Sequence, residues 1–105
     1  MSSELKIREE QLSDSMTVYI SGEVDIYTSQ ALKDKLYEII DSTPTDLVID
    51  CRELKYIDST GLGIFVGALK KAKQREKKIC ISNLKENIKK LFIITGLDKL
   101  FIIKE

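Results

Sequence analysis

Apolar residues recur with two different periods along this chain, and the change of period separates predicted strands from predicted helices. Leu5 and Ile7, and then Val18 and Ile20, alternate with polar neighbours on either side of a short polar turn. Alternation of this kind is typical of two strands in a hairpin. The sequence therefore predicts two adjacent strands at the start of the chain, with the second strand closing at residues 22–25.

Three later segments follow the helical period, in which apolar residues three and four positions apart share one face. Thr28 or Ser29 is a candidate N-cap for the first helix. Asn83 and Glu86 have the cap and N3 spacing for the third helix, which Gly96 ends. The residues predicted to be buried are Leu32, Leu36, Ile39 and Ile40 in the first helix, Leu62, Phe65, Val66 and Leu69 in the second, and Leu84, Ile88, Leu91 and Phe92 in the third.

Short apolar runs separate these helices and predict further strands. Residues 47–49 form an unbroken apolar run, which is expected of a strand covered on both faces. The second helix is predicted from about residue 60 to residue 73, and strands are predicted at 79–81 and 100–103. The order β-β-α-β-α-β-α-β predicts a single α/β domain over residues 1–105, with a mixed sheet of about five strands, three or more helices and right-handed crossovers.

Composition narrows the possible functions. The chain has 17 Lys and Arg against 17 Asp and Glu, so its net charge does not attract it to nucleic acid or membranes. Histidine, the commonest general base and zinc ligand, is absent. No apolar run approaches the roughly 18 residues needed to span a bilayer, and the N-terminus does not resemble a secretory signal, so a cytoplasmic location is expected. Cys51 and Cys80 are predicted to be buried, reduced thiols.

The segment 56–63, with the sequence Tyr-Ile-Asp-Ser-Thr-Gly-Leu-Gly, joins an apolar strand to the second helix. Asp58, Ser59 or Thr60 can be the N-cap of that helix, where free N–H groups and the helix dipole favour negative charge. A phosphate on Ser59 would be tolerated there by the fold, and it would change the surface sharply. The segment is therefore a candidate switch.

Other interpretations of this segment remain open. The glycines Gly61, Gly63 and Gly67 follow a strand, as in a nucleotide-binding loop, but their spacing is G-x-G-x-x-x-G and the first glycine follows the predicted cap. A structural explanation is that Gly63 and Gly67, four residues apart, let another backbone approach closely. Ser59 as a hydrolytic nucleophile would lack a histidine base. No catalytic residue is predicted, and the chain is expected not to be an enzyme.

Charged residues offer two further alternatives. Glu23, Asp25 and Asp58 could gather near one end of the sheet and bind Mg²⁺, although solvated loop acids are the simpler interpretation. The basic stretch 70–78 could contact nucleic acid, but it carries no interleaved aromatic residues and is typical of a solvated helix end. We therefore predict no metal, no cofactor and no direct binding of nucleic acid.

Three segments in the same order resemble a known family. Residues 22–25, 56–63 and 91–97 are similar to the anti-sigma factor antagonists of the STAS domain class, and the resemblance covers nearly the whole chain. It implies that the unmodified protein captures an anti-sigma factor that is also a serine kinase, which frees the sigma factor. It also implies that the kinase phosphorylates Ser59 and that a PP2C-type phosphatase reverses this.

The resemblance also implies a docking surface. The free protein is expected to be a monomer without membrane attachment. A STAS scaffold subunit of a signalling or transporter-associated complex is the alternative that keeps the fold, and a nucleotide-binding protein is the more distant one. The residues that would line the docking surface are Asp25, Asp58, Ser59, Thr60, Gly61 and Gly63.

Overall fold

Five strands form one continuous sheet in the computed structural model, which describes residues 4–104. The predicted mixed sheet and the predicted order of strands and helices are confirmed. The first two strands pair antiparallel, and each later strand pairs parallel with its predecessor in the chain. The elements are β1 (Lys6–Gln11), β2 (Ser15–Val24), α1 (Ser29–Ser42), β3 (Asp46–Ile57), α2 (Ser59–Gln74), β4 (Ile79–Ser82), α3 (Glu86–Ile94), a 3₁₀ turn (Leu97–Lys99) and β5 (Ile102–Lys104).

One hydrophobic core lies between the sheet and the helices. In β3, Leu47 and Ile49 are buried in this core, whereas Val48 and Asp50 are only half-buried. The prediction that residues 47–49 are covered on both faces is therefore wrong. Although the run is apolar throughout, only alternate side chains of a strand point to the same face, so only every second one enters the core.

The predicted N-cap position of α1 is confirmed without a side-chain cap bond, whereas the predicted N-cap of α3 is wrong. Thr28 occupies the N-cap position of α1, but its hydroxyl makes no cap bond and donates to the Glu23 carbonyl at 2.9 Å. Asn83 does not cap α3, because Lys85 occupies that position. Instead Asn83 adopts a left-handed backbone with φ of 60°, a conformation that asparagine tolerates, and its amide donates to Asp50 Oδ2 at 3.1 Å.

The core contact of α3 is narrower than predicted. Ile88 and Phe92, one turn apart, are buried, and the ring of Phe92 lies 6.0 Å from that of Phe65 in α2. Leu84 precedes the helix and is half-buried, while Leu91 is exposed. The prediction that all four apolar residues of this segment are buried is therefore wrong, since so short a helix presents only one narrow face to the core.

Three smaller predictions are also corrected. Val66 is half-buried rather than buried, and Leu100 precedes the last strand, which begins at Ile102. Both cysteines are free, as predicted, but only Cys51 is fully buried, while Cys80 lies on the half-exposed side of β4. Burial raises the pKa of the Cys51 thiol to about 12, so this thiol is chemically inert at neutral pH.

The basic end of α2 stabilises the end of α1. Lys71 and Arg75 form ion pairs with Asp41 at 3.0 and 2.7 Å. The ammonium group of Lys77 donates to the Ile40 carbonyl at 2.7 Å and also to the Thr43 carbonyl. Lys77 thus satisfies carbonyls at the C-terminal end of α1, while Lys71 and Arg75 hold the Asp41 side chain there. A structural role for at least part of the basic stretch follows.

Acid should weaken the Asp41 contact. The hydrogen bond from Lys71 and the charge of Arg75 lower the pKa of Asp41 below its ordinary value of 3.8, against an opposing effect of desolvation. A carboxyl group whose pKa is lowered by folding stabilises the fold fully above its unfolded-state pKa. This stabilisation is lost as the pH falls through its folded-state pKa. We therefore expect Asp41→Asn to reduce the pH dependence of the free energy of unfolding below about pH 4. Urea titrations at low salt measure the free energy of unfolding at each pH, and Asp34→Asn on the same helix is the control. An unchanged pH dependence in Asp41→Asn would contradict this assignment.

Candidate functional site

The ends of β2 and β3 bring two of the predicted site residues to one edge of the sheet. Val24 is the register partner of Ile57, and the Asp58 N–H donates to the Val24 carbonyl at 3.3 Å. Because neighbouring strands lie about 4.8 Å apart, Asp25 and Asp58 leave the sheet side by side. Within residues 4–104, no group of three or more acidic or thiol side chains is arranged to hold a metal ion.

Asp58 is the N-cap of α2. Its Oδ1 accepts hydrogen bonds from the N–H groups of Thr60 at 3.0 Å and Gly61 at 3.2 Å. Ser59 is thus the first residue of the helix, and its side chain is exposed beside that of Thr60. Because Asp58 already occupies two of the free N–H groups of the first turn, a nucleotide phosphate would not find the open backbone cradle that the nucleotide-binding alternative requires.

Asp25 organises the loop between β2 and α1. Its Oδ1 accepts from the N–H groups of Tyr27 at 2.9 Å and Thr28 at 3.1 Å. The hydroxyl of Thr28 accepts from the Asp25 N–H at 3.0 Å while it donates to the Glu23 carbonyl. The loop therefore holds Ile26 and Tyr27 outward, and both are exposed. Sequence reasoning missed this pair, although two large apolar residues inside a polar turn were a visible signal.

Gly61 is a packing residue. It is buried, and a Cβ atom there would lie 2.6 Å from Cγ1 of both Val24 and Ile57. Only a residue without a side chain lets the first turn of α2 approach the two strand ends so closely. Gly61 therefore sets the position of Ser59 relative to the sheet.

The other two glycines of α2 have different surroundings. Gly63 is exposed, and nothing lies within 4 Å of the position that a Cβ would occupy. At Gly67 the hydroxyl of Tyr37 in α1 approaches. The idea that Gly63 and Gly67 together admit a second backbone within this chain is therefore wrong, because one faces a side chain and the other faces open space. Gly63 leaves a shallow, unobstructed surface one turn after Ser59.

The residues predicted to form a docking surface thus surround the beginning of α2, but they differ in exposure. The exposed positions are open to direct contact, whereas the buried position determines the path of the backbone beneath them. Ser59, Thr60 and Gly63 are exposed, Asp25 and Asp58 are half-buried, and Gly61 is buried.

Comparison with known proteins identifies the fold. The family model described as STAS domain matches residues 6–105. The chain belongs to the STAS domain family. An anti-sigma-B factor antagonist of Listeria monocytogenes is 37% identical over 106 residues, which cover 99% of this chain and 90% of the relative. The predicted resemblance to STAS-domain anti-sigma factor antagonists is thereby confirmed.

Solved structures share this STAS fold. The crystal structure of an anti-sigma factor antagonist from Mycobacterium paratuberculosis has a TM-score of 0.86 at 26% identity, covering 96% of this chain and 86% of that one. The Bacillus cell fate determinant SpoIIAA in its phosphorylated form has a TM-score of 0.71 at 17% identity, covering 93% and 90%. An antagonist of an anti-sigma factor is a regulatory binding protein rather than an enzyme. In the described part of this STAS domain, no helix combines the length and apolar character needed to cross a membrane.

Proposed function

We propose that this STAS domain is an anti-sigma factor antagonist that is switched by phosphorylation. In its unphosphorylated form it binds an anti-sigma factor with serine kinase activity and so releases a sigma factor. Phosphorylation of Ser59 abolishes the binding, and a PP2C-type phosphatase restores it. The observation that carries the proposal is the exposed Ser59 hydroxyl at the first turn of α2, between the capping carboxylate of Asp58 and the open surface at Gly63.

The position of Ser59 gives a phosphate two separate effects. It lies where the helix dipole favours an anion, so the fold tolerates the charge. The N–H groups of Thr60 and Gly61 are already bonded to Asp58, however, so they are not free to neutralise a second anion. The phosphate, with a charge of about −1.5 to −2, therefore adds to the carboxylate of Asp58 at the surface.

A partner that packs on this surface would have to desolvate both negative groups together. Like charges that are brought out of water repel strongly, because the dielectric screening of the solvent is lost. Without the phosphate, the carboxylates of Asp58 and the neighbouring Asp25 are half-buried and hydrogen-bonded to backbone N–H groups. The rest of the surface there consists of neutral hydroxyls and the exposed Gly63. Modification can therefore prevent binding without any change of fold.

Further features of the proposal concern the cellular setting. The protein acts in the cytoplasm as a monomer when free, and it contacts neither nucleic acid nor membrane. The named relatives of Listeria and of the mycobacterium support the regulatory role by similarity. A phosphorylated structure of SpoIIAA supports the idea that this fold accommodates a phosphate.

Phosphorylation is the direct test. Each anti-sigma-type serine kinase from the same genome is incubated with the protein and ATP, and mass spectrometry locates the phosphate. We expect at least one kinase to place a single phosphate on Ser59. Thr60→Ala should be phosphorylated like the wild type, whereas Ser59→Ala should stay unmodified. Stoichiometric phosphorylation of Ser59→Ala on Thr60, followed by normal release from the kinase, would show that the modified residue is assigned wrongly.

A further inference from the structure

Two adjacent apolar side chains stand out from the loop between β2 and α1, which comprises residues 25–28 and is called the β2–α1 loop below. Ile26 is 66% exposed and Tyr27 is 87% exposed. Single exposed apolar residues are common on protein surfaces. Two neighbours in one short, ordered loop are less usual, and tyrosine is among the residue types that dominate binding energy when an interface buries them.

The loop holds this pair in a fixed position. Tyr27 donates its backbone N–H to Asp25 Oδ1 at 2.9 Å, and Ser29 donates to the Asp25 carbonyl at 2.8 Å. Thr28 closes the loop against the strand through the Glu23 carbonyl. Because the loop backbone is already held in place, binding would have to order only the two side chains and not the loop, which lowers the entropic cost of binding.

The pair lies close enough to Ser59 for one partner to cover both. Val24 and Ile57 are register partners in the sheet. Tyr27 lies three residues after Val24, and Ser59 lies two residues after Ile57. The Cα atoms of Tyr27 and Ser59 are therefore at most about 23 Å apart. A standard interface of roughly 800 Å² on each partner is a disc roughly 32 Å across, which includes both positions.

The surroundings of Tyr27 indicate the charge of its partner. A groove of about 800 Å³ beside the loop is lined by Tyr27 and by the acidic residues Glu4, Glu23 and Asp25. None of these three carboxylates forms an ion pair within residues 4–104. Complementary charge favours a partner surface that carries arginine or lysine around an apolar recess.

We propose that Ile26 and Tyr27 are the apolar anchor with which this chain selects its anti-sigma kinase: the pair enters a recess on the kinase that is bordered by basic side chains, while the kinase reaches Ser59 across the same surface. The inference rests on the proposed function, and it adds a part of the surface that decides which kinase is bound. The anchor contributes to affinity in the unmodified state, and the phosphate on Ser59 opposes it.

Alanine substitution tests the anchor. Tyr27→Ala and Ile26→Ala should each weaken binding of the unphosphorylated chain to the purified kinase, loaded with ADP, by at least about tenfold, and Tyr27→Phe should bind within about threefold of wild type. Leu12→Ala is the matched control, because Leu12 is 50% exposed and lies beyond the opposite end of β2. Titration calorimetry measures the affinities. Thermal unfolding should be unchanged, since the altered side chains are outside the core.

The outcomes separate this inference from the proposed function. If the wild type binds none of the anti-sigma-type kinases of its genome, the proposed function is wrong, and the anchor, which depends on it, is wrong as well. If the wild type binds one of them and both alanine variants bind as tightly, the anchor alone is wrong. If sedimentation shows that the wild type dimerises and Tyr27→Ala does not, the loop joins two copies of this chain and does not select a kinase.

Discussion

Phosphorylation of Ser59 should lower the affinity of this STAS domain for the proposed anti-sigma kinase several hundredfold, and Ser59→Glu should reproduce a large part of that loss. A loss of about 3–4 kcal/mol of binding free energy is sufficient, because each 1.4 kcal/mol is a factor of ten. Repulsion of this size is reasonable for a phosphate and the Asp58 carboxylate desolvated at one interface. The Asp58 oxygen is fixed by two backbone N–H groups, so it cannot swing away to relieve the repulsion without uncapping α2.

Ser59→Ala should behave in the opposite way. It lacks the hydroxyl that is modified, so it should stay bound to the kinase when ATP is present, whereas the wild type is released. Gln74→Glu, at the other end of the same helix, adds the same charge as Ser59→Glu and should bind within about twofold of wild type, because exposed charges separated by more than about 10 Å are largely screened. Surface plasmon resonance with ADP and with ATP distinguishes these cases. Equal affinities for Ser59→Glu and Ser59→Ala would refute the switch.

The order of strands and helices could be predicted from the sequence because the spacing of apolar residues depends only on neighbours along the chain. The alternation at Val18 and Ile20 and the helical spacing at Leu32 and Leu36 each place side chains on one face before any tertiary contact is known. Local periodicity could not show how many faces of β3 are covered. That depends on where the helices pack, and the half-buried Val48 shows that the core lies on one side of it.

The candidate site was predictable in position but not in the roles of its residues. The residue types of segment 56–63 indicate a helix start, but they leave Asp58, Ser59 and Thr60 as three candidate caps. Only the register between β2 and β3 shows that Asp25 belongs beside Asp58. The exposure of Tyr27 follows from a turn held by side-chain hydrogen bonds, which has no periodic signature in the sequence.

Gly61→Ala should destabilise the fold by about 1–2 kcal/mol, whereas Gly63→Ala should stabilise it by up to about 1 kcal/mol. Both changes replace glycine by a better helix former within the same turn of α2. They differ in their surroundings, since the new methyl group at position 61 would lie 2.6 Å from side-chain atoms of Val24 and Ile57, and the one at position 63 would meet nothing within 4 Å. Each of the two variants is therefore a control for the other.

Urea denaturation at neutral pH measures the difference, which should appear as a shift of the midpoint without a change of slope. In a domain of this size, 1 kcal/mol corresponds to roughly 4–8 °C in Tm, so thermal unfolding gives an independent value. Gly61→Ala relieves its clash by moving the start of α2 away from the strand ends, and Ser59 moves with it. Its binding to the kinase should consequently fall as well. If Gly61→Ala is as stable as Gly63→Ala, the ends of β2 and β3 move aside at little cost in free energy. In that case Gly61 does not set the position of Ser59.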